Sequence, residues 1–301
     1  MKFEGIYVVT PTPMNTDEEI DYSTVRKHIG FLLKNGVHGI IPGGSTGEGA
    51  LLSMDERKKL LETVLEEVNG KIPVLGSPGM PSTRDALELC VHAEQSGAQG
   101  VMIIAPYYHV PSHEEVLTHF RTIADKVDFD LMIYNQAVST FIDLSPEELV
   151  SLNETHPNIS HVKESIRTDI ARTQRIVRLS EGRMTVHSGL DEIVFEQICA
   201  GARGWVSATA SALPSECVRF WDLLEAERWL EARELYYDMV DLMTMVDGRG
   251  KLPQYIKASM DLIDIPFGPT RRPLISANEA ERNELKNLID KVHRSQVLQK
   301  T

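Results

Sequence analysis

Cysteine is scarce in this sequence. The three present, Cys90, Cys199 and Cys217, are odd in number and far apart, so they suggest neither a disulfide framework nor a metal-ligand spacing. Reduced thiols in a cytoplasmic protein are expected. Long apolar runs are missing as well. No stretch approaches the roughly 20 apolar residues that a membrane-spanning helix needs, and Met1-Lys-Phe-Glu-Gly-Ile-Tyr7 lacks the apolar core of a secretory signal. Positive charge is in deficit: 31 Lys and Arg stand against 44 Asp and Glu, a net charge of −13. That balance argues against nonspecific nucleic-acid binding, which relies on cations neutralising phosphates. It leaves room for a small anionic substrate, because a local site can oppose the global charge. Also absent are a Gly-x-Gly-x-x-Gly run after the first strand, a phosphate loop of the Gly-x-x-x-x-Gly-Lys type, any low-complexity segment and any linker.

What the chain does have is a steady alternation of short apolar runs and longer segments of helical period. The runs Gly5–Thr10, His38–Pro42, Ile72–Gly76, Gly100–Ala105, Asp130–Asn135, Ile159–Glu164, Met184–Ser188 and Gly204–Ala208 read as strands. Helices are expected between them at Asp21–Lys34, Ser53–Asn69, Thr83–Ser96, His113–Lys126, Ser145–Glu154, Thr168–Leu179 and Leu190–Ala200. Ser53-Met-Asp-Glu56 has the form of a capping box, and Ser145-Pro-Glu-Glu148 places a proline and acids in a first helical turn. Eight strand–helix alternations favour a parallel sheet closed into a (β/α)8 barrel, an α/β fold that takes about 250 residues. The 301-residue chain accommodates a barrel over residues 1–212 and a C-terminal helical region over 213–301. In that region Glu216–Leu224, Trp229–Met245, Leu252–Ile263 and Ala277–Val292 have only helical period, interrupted by Ile265-Pro-Phe-Gly-Pro-Thr-Arg-Arg-Pro273.

Barrel enzymes keep their active sites at the C-terminal ends of the strands, and three such ends carry unusual chemistry. Lys163 ends the sixth strand, where its side chain points either into the barrel or into the helix layer. Burial disfavours an ammonium and frees an amine to attack a carbonyl; the alternative is a structural lysine paired with Glu164 or a neighbouring acid. Tyr134 ends the fifth strand, where a phenol can relay protons or simply cap the barrel core. Gly43-Gly-Ser-Thr-Gly47 follows the second strand, and its backbone N–H groups and hydroxyls suit an anion, although most such runs are only turns. Amine, phenol and anion cradle together suit Schiff-base chemistry on a 2-oxo acid. The protonated imine is itself the electron sink, so the reading calls for no cofactor and no metal. Pro106-Tyr-Tyr-His-Val-Pro111, after the fourth strand, is a stiff aromatic loop; His109 and His113 lack the partners of a metal site.

Gly44-Ser-Thr-Gly-Glu48, Pro106-Tyr-Tyr108, Ile133-Tyr-Asn135, Val162-Lys-Glu164 and Gly268-Pro-Thr-Arg-Arg-Pro-Leu274 occur in an order and spacing that resemble the dihydrodipicolinate synthase / N-acetylneuraminate lyase family along essentially the whole chain. The resemblance implies a (β/α)8 barrel with a C-terminal helical extension, a homotetramer built as a dimer of dimers, and an imine between a lysine and pyruvate or another 2-oxo acid. It implies Lys163 as the imine lysine and Tyr134 as the proton relay. Ser45 and Thr46 match the hydroxyl pair that holds the substrate carboxylate beside Gly44 and joins the relay. Tyr108 matches the tyrosine lent to a neighbouring subunit's site. Val206 matches a strand-end carbonyl facing the site, and Gly189 lies in a loop that meets the distal part of the substrate.

The sequence also departs from the family. The synthases carry an arginine near position 139 that holds the second substrate's carboxylate, whereas Gln136-Ala-Val-Ser-Thr140 has Ser139 there. A lyase of the aldolase or dehydratase type acting on a hydroxylated 2-oxo acid is therefore the expected function. Condensation of pyruvate with aspartate semialdehyde by a 4-hydroxy-tetrahydrodipicolinate synthase is the alternative. A non-catalytic 2-oxo acid binding protein on the same scaffold would be expected to lack Lys163 or Tyr134, and both are present.

Overall fold

A computed structural model describes residues 3–298. Eight parallel strands alternate with helices: β1 Gly5–Thr10, α1 Tyr22–Lys34, β2 Gly39–Pro42, α2 Met54–Val68, β3 Leu75–Gly76, α3 Thr83–Gln95, β4 Gly100–Ile104, α4 His113–Ala124, β5 Asp130–Asn135, α5 Ala137–Thr140, α6 Pro146–Thr155, β6 Ile159–Glu164, α7 Ala171–Leu179, β7 Thr185–Ser188, α8 Val194–Cys199 and β8 Gly204–Ser207. Helices α9 Pro214–Glu225, α10 Trp229–Gly248, α11 Leu252–Leu262 and α12 Glu279–Leu298 follow. The strand order is β2-β1-β8-β7-β6-β5-β4-β3. A parallel bridge between Ile40 and Val74 joins the two ends of that order and closes the barrel.

The expected alternation is present, and its deviations have local causes. The third strand is two residues long because Pro73 has no N–H to offer and the Val74 N–H donates to the Gln99 side chain. Helix α7, expected from Thr168, starts at Ala171, whose N–H donates to Asp169 Oδ1. The segment expected to be one helix from Leu190 opens instead with a 3₁₀ turn at Asp191–Ile193. Helix α5 was not expected. Gln136 caps this single turn by accepting a hydrogen bond from the Ser139 N–H.

Inside the barrel, rings replace the usual aliphatic layers at the N-terminal end. Phe3 stacks on His161 at 4.6 Å between centroids, and Tyr7 meets His187 edge-on at 5.8 Å. Glycine makes the space for them. A Cβ on Gly39 would lie 2.2 Å from the Tyr7 ring, and one on Gly204 would lie 2.1 Å from the His187 ring. The two-residue period of a strand then places Lys163 on the same inward face as His161, and Glu164 on the outward face.

Candidate active site

Lys163 sits at the C-terminal end of β6 in register with Tyr134 on β5. The lysine is 6 % exposed, and its Nζ lies 3.9 Å from the centroid of the Tyr134 ring, a cation–π distance. Among the described residues no carboxylate pairs with it. Glu164 faces the helix layer, where it accepts from Asn135 Nδ2 at 3.1 Å and from the Ile166 N–H at 3.1 Å, and approaches Arg172 Nε at 3.6 Å. Burial pushes the Glu164 carboxyl up to about 7, against the opposing pull of Arg172. The structural pairing of Lys163 with Glu164 is thereby ruled out by the strand's own alternation.

Gly189 is part of this corner. Its N–H donates to the Glu164 carbonyl at 3.0 Å. A Cβ at this position would stand 1.9 Å from Ser165 Oγ and 2.9 Å from Lys163 Cγ. No side chain fits there without moving Lys163.

A cavity of about 380 Å³ opens over Tyr134. Gly44, Ser45 and Ser139 line it with Tyr134, as do Gly43, Glu48, Arg57, Tyr107 and Gln254. Lys163, Thr46 and Val206 are buried and are not part of its lining. Tyr108 is not brought to the site of its own chain: it is 87 % exposed, adopts φ +81° and is not part of the cavity lining. Tyr107, its neighbour in the Pro106–Pro111 loop, lines the cavity instead.

The sequence reading missed Arg57, Tyr107 and the C-terminal wall. Arg57 is buried and donates to the carbonyls of Gly43 at 3.4 Å, Ser77 at 3.1 Å and Gly79 at 2.8 Å, tying the loops after β2 and β3 together. Nothing in the local pattern of α2 signals this. The wall contains Gly250, Pro253, Gln254, Pro273 and Leu274. Its sequence signals are the run Gly268–Leu274, which contains Pro273 and Leu274, and Lys257, a charge inside what the structure shows as the buried run Gln254–Met260 of α11. Lys257 Nζ lies 2.5 Å from Glu48 Oε1.

A family model described as the dihydrodipicolinate synthetase family matches residues 2–292. The chain belongs to this family. It is an enzyme of the family's Schiff-base-forming lyase class. Proteins named 4-hydroxy-tetrahydrodipicolinate synthase from Methanococcus maripaludis strain C6 and from Methanopyrus kandleri are each 33 % identical to it. The first alignment covers 95 % of this chain and 98 % of the relative, the second 97 % of both. A crystal structure of dihydrodipicolinate synthase from Aquifex aeolicus superposes with a TM-score of 0.92 at 28 % identity, covering 97 % of this chain and 98 % of that one. A structure described as the first monomeric dihydrodipicolinate synthase variant superposes at 0.90 with 29 % identity, covering 96 % of each chain. Among the described residues no helix is long and apolar enough to cross a membrane.

Proposed function

We propose that Lys163 forms an imine with the 2-oxo group of pyruvate or of a hydroxylated 2-oxo acid, and that the enzyme cleaves a carbon–carbon bond or eliminates water through it. The observation that carries the reading is the buried amine of Lys163, unpaired with any carboxylate among the described residues and 3.9 Å from the Tyr134 ring. The amine attacks the 2-oxo carbon, the carbonyl oxygen leaves as water, and the protonated imine accepts the electron pair of the bond that breaks. Tyr134 carries the proton to and from the leaving oxygen. Gly44, Ser45 and Thr46 hold the substrate carboxylate with N–H groups and hydroxyls. The backbone of Val206 faces the bound acid, and the loop at Gly189 holds Lys163 in place while meeting the distal part. Tyr108 completes the site of a second copy, in a dimer or a homotetramer.

Neutral recognition of the distal part is supported by the cavity wall. Ser139 carries no charge, and the arginines nearest in role to the missing one are engaged. Arg271 makes a two-pronged ion pair with Glu56 at 2.7 and 2.8 Å, and Arg272 pairs with Glu18. Arg57 directs both of its Nη groups to backbone carbonyls and keeps only Nε without a partner. A second substrate carboxylate near Ser139 would forgo charge-assisted hydrogen bonds worth roughly 1.5–3 kcal/mol each. A 2-oxo-3-deoxy sugar acid carries hydroxyls that Gln136, Ser139 and Thr140 can meet. The names of the relatives favour the second reading, synthase chemistry with aspartate semialdehyde.

Two measurements test these readings. Pyruvate with borohydride should add one reduced adduct per chain at Lys163, seen by intact mass, and Lys163→Ala should abolish adduct and turnover. An unchanged adduct in that variant overturns the assignment. For the substrate, kcat/KM for a panel of 2-oxo-3-deoxy acids should exceed that for pyruvate with aspartate semialdehyde. Condensation at an ordinary enzymatic level, about 10⁴ M⁻¹s⁻¹ or more, would establish the synthase instead.

A further inference from the structure

The turn that carries Ser45 and Thr46 is held in shape from far along the chain. Glu48 follows it with φ +57°, a left-handed conformation that is uncommon for a residue other than glycine. The strain sits inside the cradle itself. The Glu48 N–H donates to the Ser45 carbonyl at 3.2 Å, the Gly49 N–H donates to the Gly44 carbonyl at 3.0 Å, and Thr12 Oγ1 donates to the Gly47 carbonyl at 2.7 Å. A Cβ on Gly49 would lie 1.9 Å from the Gly43 oxygen, so the loop has no room to relax in that direction.

The Glu48 carboxylate is gripped on both oxygens by the C-terminal region. Oε1 lies 2.5 Å from Lys257 Nζ, and Oε2 accepts the Arg271 N–H at 2.7 Å. The side chains of Lys257 and Glu48 are 3 % and 0 % exposed. Lys257 Nζ also donates to the Pro269 carbonyl at 2.7 Å. Desolvation draws the Lys257 ammonium below the ordinary lysine range, and the Glu48 carboxylate opposes the shift. An apolar pair of similar volume often stabilises a fold as well as a buried ion pair does. A charged pair differs in fixing direction. This one reaches from the middle of α11, whose first turn lines the cavity at Pro253 and Gln254, to the backbone that lines it at Ser45, Glu48 and Gly49.

We propose that Lys257 is a positioning residue for the reaction at Lys163. It holds the Glu48 carboxylate inside the protein, which keeps Glu48 in its left-handed turn and keeps Ser45 and Thr46 aimed at the substrate carboxylate. The inference rests on the imine reading of the site. Lys257 itself touches no substrate. A residue that served stability alone would change melting temperature and leave substrate capture as it was.

The test uses the full-length chain with pyruvate as the probe. The parent, Lys257→Met, and the double variant Glu48→Gln/Lys257→Met are compared by melting temperature and by the pyruvate concentration that half-saturates borohydride trapping. The double variant matters because it leaves no unpaired buried charge and is the form expected to fold if the single variant does not. Capture by the double variant should need about tenfold more pyruvate or higher, the scale of losing one hydrogen bond to a charged group. The adduct at saturation should still form on Lys163. Where both variants fold, their half-saturating concentrations should agree, since either change releases the same turn. A folded double variant that captures pyruvate at the parent's concentration overturns the proposal while leaving the imine reading intact. A parent that forms no adduct overturns the imine reading and this inference with it.

Discussion

Lys163, Tyr134 and Gly189 form one corner, and each has a separate signature. Replacing Tyr134 with Phe keeps the ring beneath the Lys163 amine and removes the hydroxyl alone. Turnover should fall by about 10²–10³-fold, the scale of losing a positioned acid–base group, while pyruvate capture changes much less. A Tyr134→Phe enzyme within threefold of the parent rate would assign the proton to another group. Gly189 makes the complementary case, because it contributes no chemical group at all. Gly189→Ala would set a methyl carbon 1.9 Å from Ser165 Oγ and 2.9 Å from Lys163 Cγ, closer than real Cβ contacts come. Borohydride trapping at saturating pyruvate should therefore drop sharply in Gly189→Ala. Full trapping in that variant would show that the corner has slack.

At the scale of elements, the helix layer contains buried imidazoles that pay for acid exposure. His28 on α1 is fully buried, with Nε2 3.0 Å from the Ser211 carbonyl, and burial lowers it to about 4 from an ordinary 6.5. His119 on α4 is lowered to about 4 for the same reason. The unfolded chain protonates these rings below about pH 6.5, whereas the folded chain does so only near 4. Between those values the unfolded state binds more protons, so each ring makes the fold less stable as pH falls, by roughly 3 kcal/mol across the full window. Glu164 acts in the opposite sense. Its folded value of about 7 lies above the ordinary 4.5, so its contribution is lost as pH rises between the two. A plain pH scan would mix these effects. The difference in melting temperature between His28→Gln and the parent isolates one ring, and it should move in the variant's favour from pH 7 to pH 5. A difference that does not change with pH would mean that His28 is not buried neutral.

For the whole molecule, the loops at the mouth of the barrel leave Tyr108, Val110, Val138 and Phe141 largely exposed. Single exposed apolar residues are ordinary, but four on the loops after β4 and β5 fit a surface completed by another copy. The expectation is a dimer or homotetramer by light scattering, with Tyr108→Ala reducing kcat. A fully active monomer would remove Tyr108 from the site.

The local signals in the sequence reached as far as the elements and the corner at Lys163. Strand period, capping residues and turn glycines are properties of neighbouring residues, so β1, β5 and β6 have the bounds read from the chain. The ends of those strands placed Lys163 and Tyr134 side by side because adjacent parallel strands share a register. Helix α5 escaped notice because a single turn capped by a glutamine leaves no periodic trace. Which way Lys163 faces became definite only with the barrel closed, when period-two alternation acquired an inside and an outside. The pairing of Lys257 with Glu48, the carbonyl-holding Arg57 and the outward Tyr108 were set by tertiary structure alone. Each depends on chain segments remote in sequence, or on a loop's exact path, and a buried charge finds its partner through space rather than along the chain.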